Sequence, residues 1–128
     1  MRSADEGVWS KSILFVESDE FVRDSVKCFF ATYGCDLVTA TTTNEALGFL
    51  EKNRADIIIV EHKPGIMDSI VFFSDIRDSH VKAKKVLIIE RNNNRAVHKA
   101  LSLGVHAHVI APFSASDLES CLLHLYEA

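Results

Sequence analysis

Five short apolar runs recur along the chain, at residues 13–16, 37–41, 57–60, 86–89 and 106–110, and a longer amphipathic stretch follows each. The runs at 13–16, 57–60 and 86–89 are continuous and rich in β-branched residues, as expected of strands buried on both faces. The stretches between them carry helical periodicity. Val22, Val26, Phe29, Phe30 and Tyr33 form one stripe, and Gly34 stands where a left-handed cap would end that helix. Thr42 and Glu45 have capping-box spacing ahead of Ala46, Leu47 and Leu50. A weaker pattern at 68–78 rests on Phe72, Phe73 and Ile76. Ala96, Val97, Ala100 and Leu101 form a fourth face, ended by Gly104. Ser114 can cap a last helix with Leu118, Cys121, Leu122 and Leu125 facing inward. Five strand–helix units imply an α/β domain: a five-stranded parallel sheet with helices on both faces, joined by right-handed crossovers.

Residues 1–11 read as an N-terminal tail, with Trp9 either packed on the body or exposed, and 12–128 as the domain. With 128 residues, two Pro and five Gly, the chain reads as one globular unit. Its formal charge of -4 gives no reason to expect nucleic-acid binding. No apolar run is long enough to span a bilayer, and the first residues lack the apolar core of a secretory signal. The three cysteines, Cys28, Cys35 and Cys121, lack metal-ligand spacing. They read as reduced thiols of a cytoplasmic protein, with Cys28 and Cys121 on apolar helix faces.

In open α/β sheets the functional site lies beyond the carboxyl ends of the strands. The residues there are Glu17, Ser18 and Asp19 after the first strand, Glu61 after the third, Glu90 after the fourth, and Ala111-Pro112 after the fifth. Three strand ends deliver carboxylates and none delivers a cation. These segments carry a resemblance. ILFVESDEFVRDSV is similar to the opening of a response-regulator receiver domain, and ADIIIVEHKPGIMDS to its phosphoacceptor strand and loop. KVLIIE and GVHAHVIAPFSASDL resemble its fourth strand, and its fifth strand with the Pro-Phe exit. Order and spacing match over about residues 12–126, implying the flavodoxin-like (βα)5 receiver fold of two-component signalling.

The resemblance implies a phosphorelay chemistry in which a histidine kinase gives a phosphoryl group to an aspartate. Two acidic residues hold Mg²⁺, a lysine pairs with the phosphoryl oxygens and a Ser/Thr hydroxyl reads the new group. This sequence departs at most of those positions. Glu61 stands at the phosphoacceptor position, one methylene longer than aspartate. Of the acidic pair Glu17 remains, followed by Ser18 and then Asp19. Glu90 takes the switch hydroxyl's place, His108 the switch aromatic's, and Ala111 the lysine's. Pro64 comes one residue early in the loop, although Asp68 keeps its offset.

Without a lysine, nothing at position 111 can pair with an acyl phosphate. A Glu90 carboxylate about 4 Å from a phosphoryl charge, at an effective dielectric of about 20, costs roughly 4 kcal/mol. Phosphorylation of Glu61 is therefore not expected, and a basic side chain inside the acidic pocket, such as Lys63 or Arg91, would overturn the case for a phosphorylation-incompetent domain. Glu61 then either imitates an acyl phosphate or is a tolerated acid in a wet loop. Glu17, Asp19 and Glu61, with Glu90 and His62 nearby, either hold Mg²⁺ or another divalent cation, or raise one pKa so that a proton replaces the metal, or spread apart in solvent. Glu90 and His108 either form a coupled pair or leave His108 exposed. His98 and His124 read as solvent-facing, and Asp68 and Asp117 as helix-start residues.

No positioned nucleophile and base are present, so the chain is not expected to be an enzyme. The favoured reading is an interaction module that works without phosphorylation and requires no cofactor. It would dock a partner protein, another domain or a second copy of itself through the last two helices and last strand, around Val97, Ala100, His108 and Leu118. No membrane or nucleic-acid partner is expected. The alternatives are a phosphoacceptor using Glu61, Asp68 or Asp19, and a metal-dependent sensor at the acidic cluster.

Overall fold

A computed structural model describes residues 7–126. The β-branched runs pair through parallel ladders in the order β2-β1-β3-β4-β5. The strands are β1 (Ser12–Val16), β2 (Asp36–Ala40), β3 (Ile57–Glu61), β4 (Lys84–Glu90) and β5 (Ala107–Ala111). The helices are α1 (Glu20–Ala31), α2 (Thr43–Lys52), α3 (Ser69–Ile76), α4 (Asn94–Ser102) and α5 (Ala115–Leu125). The expected α/β architecture is present.

Side chains alternate across a pleated strand, so a continuous apolar run feeds two cores at once. On one face Leu14, Ile58, Val60, Leu87 and Ile89 pack with α2, α3 and α4 residues such as Ala46, Phe72 and Ala100. On the other Phe15, Ile57, Ile59, Val86 and Ile88 pack with Val26 and Phe30 of α1 and Leu118 and Leu122 of α5. After β1 the chain winds outward to β2, then returns past β1 to β3. The carboxyl ends of β1 and β3 thus stand side by side at the point where strand order reverses.

Each helix starts on a polar cap. Asp19 and Asp68 accept two backbone N–H bonds each at the starts of α1 and α3, and Ser114 and Asp117 form a reciprocal box on α5. The Thr42 hydroxyl accepts from Glu45 N, while the Glu45 carboxylate reaches Thr41 N. Gly34 and Gly104 have the positive φ expected of them.

Several expectations need correction. Val8 and Trp9 fall within the stretch read as a tail, yet both are buried. A helical turn at residues 7–9 lays the Trp9 indole on Tyr33, stacked with centroids 4.4 Å apart, and 5.4 Å from Phe30. Residues 1–6, the rest of that stretch, lie outside the described residues. Cys28 is exposed rather than on the apolar face. It is two residues from both Val26 and Phe30, about 200° around the helix from each. Cys121 is half-buried, and burial raises its pKa. Ala100 and Leu118, expected on a docking surface, are core residues of the two faces. Leu101 and Ile110 are the large apolar side chains exposed on α4 and β5. No described helix is long and apolar enough to cross a membrane.

Candidate functional site

The ends of β1 and β3 bring Glu17, Ser18 and Glu61 together. Glu17 is buried, only 1% exposed: it directly follows β1, and its N–H still bonds Ala40 O of β2. Its Oε2 accepts from Asp19 N at 3.3 Å, and its backbone carbonyl accepts from Arg23 Nη1 at 2.8 Å. Glu61 Oε1 accepts from Ser18 Oγ at 2.9 Å and from Ser18 N at 3.3 Å. The two carboxyl groups of Glu17 and Glu61 are themselves hydrogen-bonded.

The loop after β3 supplies what the strand ends lack. Pro64 and Gly65 occupy the centre of a turn closed by Ile66 N on Lys63 O at 2.9 Å, with Gly65 at φ +82°. That is a type II turn, in which proline presets the first central residue and glycine meets the positive φ of the second. Lys63 and Met67 then pair as an antiparallel bridge. The turn folds Lys63 back over the strand end, where its Nζ lies 3.1 Å from Glu61 Oε2 and 3.2 Å from Ser18 Oγ. The expectation of an acidic pocket without a cation is therefore wrong, and the repulsion argument against an incoming anion falls with it.

The electrostatics follow from this geometry. Burial, together with the hydrogen bond and negative charge of Glu61, pushes the Glu17 carboxyl up to about 8. Burial alone would also raise Glu61, but hydrogen bonds from Glu17, Ser18 and Lys63 outweigh it and hold this carboxyl below the ordinary range. The bond to Glu61 raises the Lys63 pKa. At neutral pH one proton on Glu17, one charge on Glu61 and one on Lys63 form a closed, balanced set.

Other expected site residues stand apart. Asp19 is exposed and its Oδ1 caps α1 through Phe21 N and Val22 N, because an Asp before a helix satisfies orphan donors there. His62 turns to Ser69, with Nδ1 and Oγ 2.8 Å apart. Glu90 is exposed, two residues beyond Ile88, the register partner of Glu61. Ala111 is half-buried beside Glu90. Among the described residues, no three His, Cys, Asp or Glu side chains are grouped to hold a metal ion. Mg²⁺ demands near-octahedral oxygen coordination. Here Ser18 and the Lys63 ammonium hold the two oxygens of Glu61, and Glu17 Oε2 is taken by Asp19 N, so the residues as arranged do not fit that ion.

Glu90 and His108 are not brought together either. His108 is level with Leu87, three residues before Glu90, and the odd offset puts the two side chains on opposite faces of the sheet.

A family model, the response regulator receiver domain, matches residues 13–123. The chain belongs to the response regulator receiver family. This receiver domain is 25% identical over 111 residues to the transcriptional regulatory protein CrdR of Helicobacter pylori, covering 86% of this chain and 52% of that protein. It is 23% identical over 117 residues to the response regulator protein VraR of Staphylococcus epidermidis, covering 90% of this chain and 56% of that one. The chain thus spans about half the length of these relatives. The solved structure of the chemotaxis response regulator CheY4 of Vibrio cholerae has the same fold, with a TM-score of 0.81 at 21% identity over 90% of this chain and 98% of that one.

Sequence reasoning named Lys63 only as a side chain whose entry into the pocket would overturn its argument, and did not place it there. Its signal was present, because Pro-Gly directly after a lysine predicts a turn that reverses the chain there.

Proposed function

We propose that this receiver domain is a protein-interaction module of two-component signalling whose state does not depend on phosphorylation. The observation that carries the reading is the closed set at Glu61. The carboxylate at the acceptor position already holds an ammonium and a hydroxyl, and its neighbour Glu17 holds a proton. A carboxylate so engaged is a poor nucleophile, and the Mg²⁺ that would ready a phosphodonor lacks its ligands. Because Glu61 has ammonium and hydroxyl partners of its own, the domain rests in a single state, and needs no bound cofactor and no catalysis.

The docking face we assign is α4, β5 and α5, where Leu101 and Ile110 are exposed beside His108 and half-buried Val97. The partner is a further domain of a longer regulator, another signalling protein or a second copy of the chain. Cytoplasmic placement fits such a role. The backbone amide spectrum of Leu101, His108 and Ile110 should not change when acetyl phosphate and Mg²⁺ are added. Movement of those resonances, absent with Mg²⁺ alone, would mean the face is phosphorylation-controlled.

One observation favours a second reading, a phosphoacceptor at Glu61. Lys63 can pair with phosphoryl oxygens from the loop, doing what Ala111 cannot. It ranks lower because Lys63 is already spent on the carboxylate that would have to attack.

A further inference from the structure

At the amino ends of β3 and β4, the connections that lead into them from α2 and α3 enclose a groove of about 550 Å³. Buried Leu50, Ala55 and Ala83 floor it, and Val81, 69% exposed, stands at its rim. Lys52, Arg54 and Lys82 also line it and are exposed. Lys63–Glu61 is the one ion pair among the described residues, so these three cations are unpaired there. Glu51 is the single carboxylate in the lining. Behind the wall the buried Lys85 ammonium is held by the carbonyls of His80 and Ala83, and it adds positive charge without a carboxylate to offset it. Burial, with the charges of Lys85 and Arg54, lowers the pKa of His80, another lining residue, so the surplus comes from the lysines and the arginine.

The carboxyl end of the sheet carries the converse. Phe21, 83% exposed at the start of α1, has Glu20 on one side and Asp24, a turn further on, on the other. The three residues line one cavity, and neither carboxylate has an ion-pair partner among the described residues. Knob and groove lie at opposite ends of parallel strands, so they cannot meet within one chain. We infer that Phe21 of one copy seats in the Lys52–Arg54–Lys82 groove of a second copy, its ring on the apolar floor and Glu20 and Asp24 against the cations. A guanidinium such as that of Arg54 suits both the ring face and a carboxylate. The contact joins two different patches, so copies add head to tail instead of closing into a symmetric pair. One ring and a few charges make an interface well under the ~1,200 Å² of ordinary stable complexes, so the association is weak and sensitive to salt. It uses neither Glu61 nor the face of α4, β5 and α5, and so does not depend on the function proposed above.

Sedimentation equilibrium of the whole chain tests this. At low salt the weight-average mass should climb past two chains between about 10 µM and about 1 mM, for a Kd on the order of 100 µM, and association should weaken at least tenfold in about 0.5 M salt. Phe21→Lys removes the knob, and Arg54→Glu combined with Lys82→Glu reverses the groove. All three positions are exposed, so both variants should keep the wild-type fold. Each variant alone should stay monomeric over that range. Mixed in equal amounts they should pair again, because one intact knob meets one intact groove, and the mass should stop at two chains. Leu101→Asp, on the face of α4, should associate as the wild type does. A wild-type chain that stays monomeric, a single variant that still associates, a mixture that fails to pair, or loss of association in Leu101→Asp would overturn the contact.

Discussion

Glu17→Gln should make the receiver domain more stable than wild type by about 3 kcal/mol at pH 8.5, with the difference vanishing near pH 4. Folding raises the Glu17 carboxyl from 4.5 to about 8, chiefly by burial. A group raised in this way contributes its full share of stability below its unfolded pKa. That share is lost as the pH climbs from about 4.5 to about 8, because the unfolded chain releases the proton and the folded one must keep it. Each pH unit in that window costs at most about 1.4 kcal/mol, and the figure of about 3 discounts the full span for coupling to Glu61. Glutamine keeps the shape and can donate an amide N–H to Glu61 with no proton to lose. Glu61 has the opposite sign. Its pKa is lowered, so its contribution is present above the unfolded value and lost as the pH falls through the folded one. Urea unfolding of both proteins from pH 4 to pH 9 checks this. A stability difference that stays flat across the window would mean that Glu17 is not the protonated partner.

Trp9→Ala should cost about 3 kcal/mol and lower Tm by roughly 10 °C, although the residue lies outside the five strand–helix units. The indole is 6% exposed, stacked on Tyr33 and tilted against Phe30. Removing it uncovers the end of the α1 stripe and leaves a hole beside Phe30 that the rigid strands cannot collapse into. Phe21→Ala is the control: that ring is 83% exposed, and its loss should change stability by no more than about 0.5 kcal/mol. A Trp9→Ala loss below about 1 kcal/mol, measured by the same melting, would return residues 7–11 to the status of a tail.

The fold was legible because its signals are local and redundant. The continuous runs around Phe15, Ile58 and Leu87 can be buried only by helices on both sides, and Asp68 and Ser114 mark helix starts in the chain itself. Errors arose where a residue's direction mattered more than its place. β4 begins earlier than its apolar run because Lys85 is buried and satisfied by the carbonyls of His80 and Ala83, which hydropathy does not show. Ala100 and Leu118 were read correctly on the apolar faces of their helices, and it was naming them on a docking surface as well that failed, since both are core residues.

The site divides the same way. The neighbourhood of Glu17 and Glu61 follows from strand order, so sequence position located it. What each side chain does there depends on competition for partners. Asp19 is adjacent to Glu17 yet serves the α1 cap, since two backbone donors outbid a place among like charges. Lys63 is two residues from Glu61 and reaches it only because the Pro64-Gly65 turn reverses the chain. A count of charges at strand ends cannot register a cation delivered by a loop.

The central claim is that Glu61 is closed within its own set of partners and takes no phosphoryl group. Incubation of the whole chain with acetyl phosphate and Mg²⁺, followed by intact mass, tests it most directly. The account predicts one unshifted species at every time point. A stable added phosphoryl group that maps to Glu61 would contradict it.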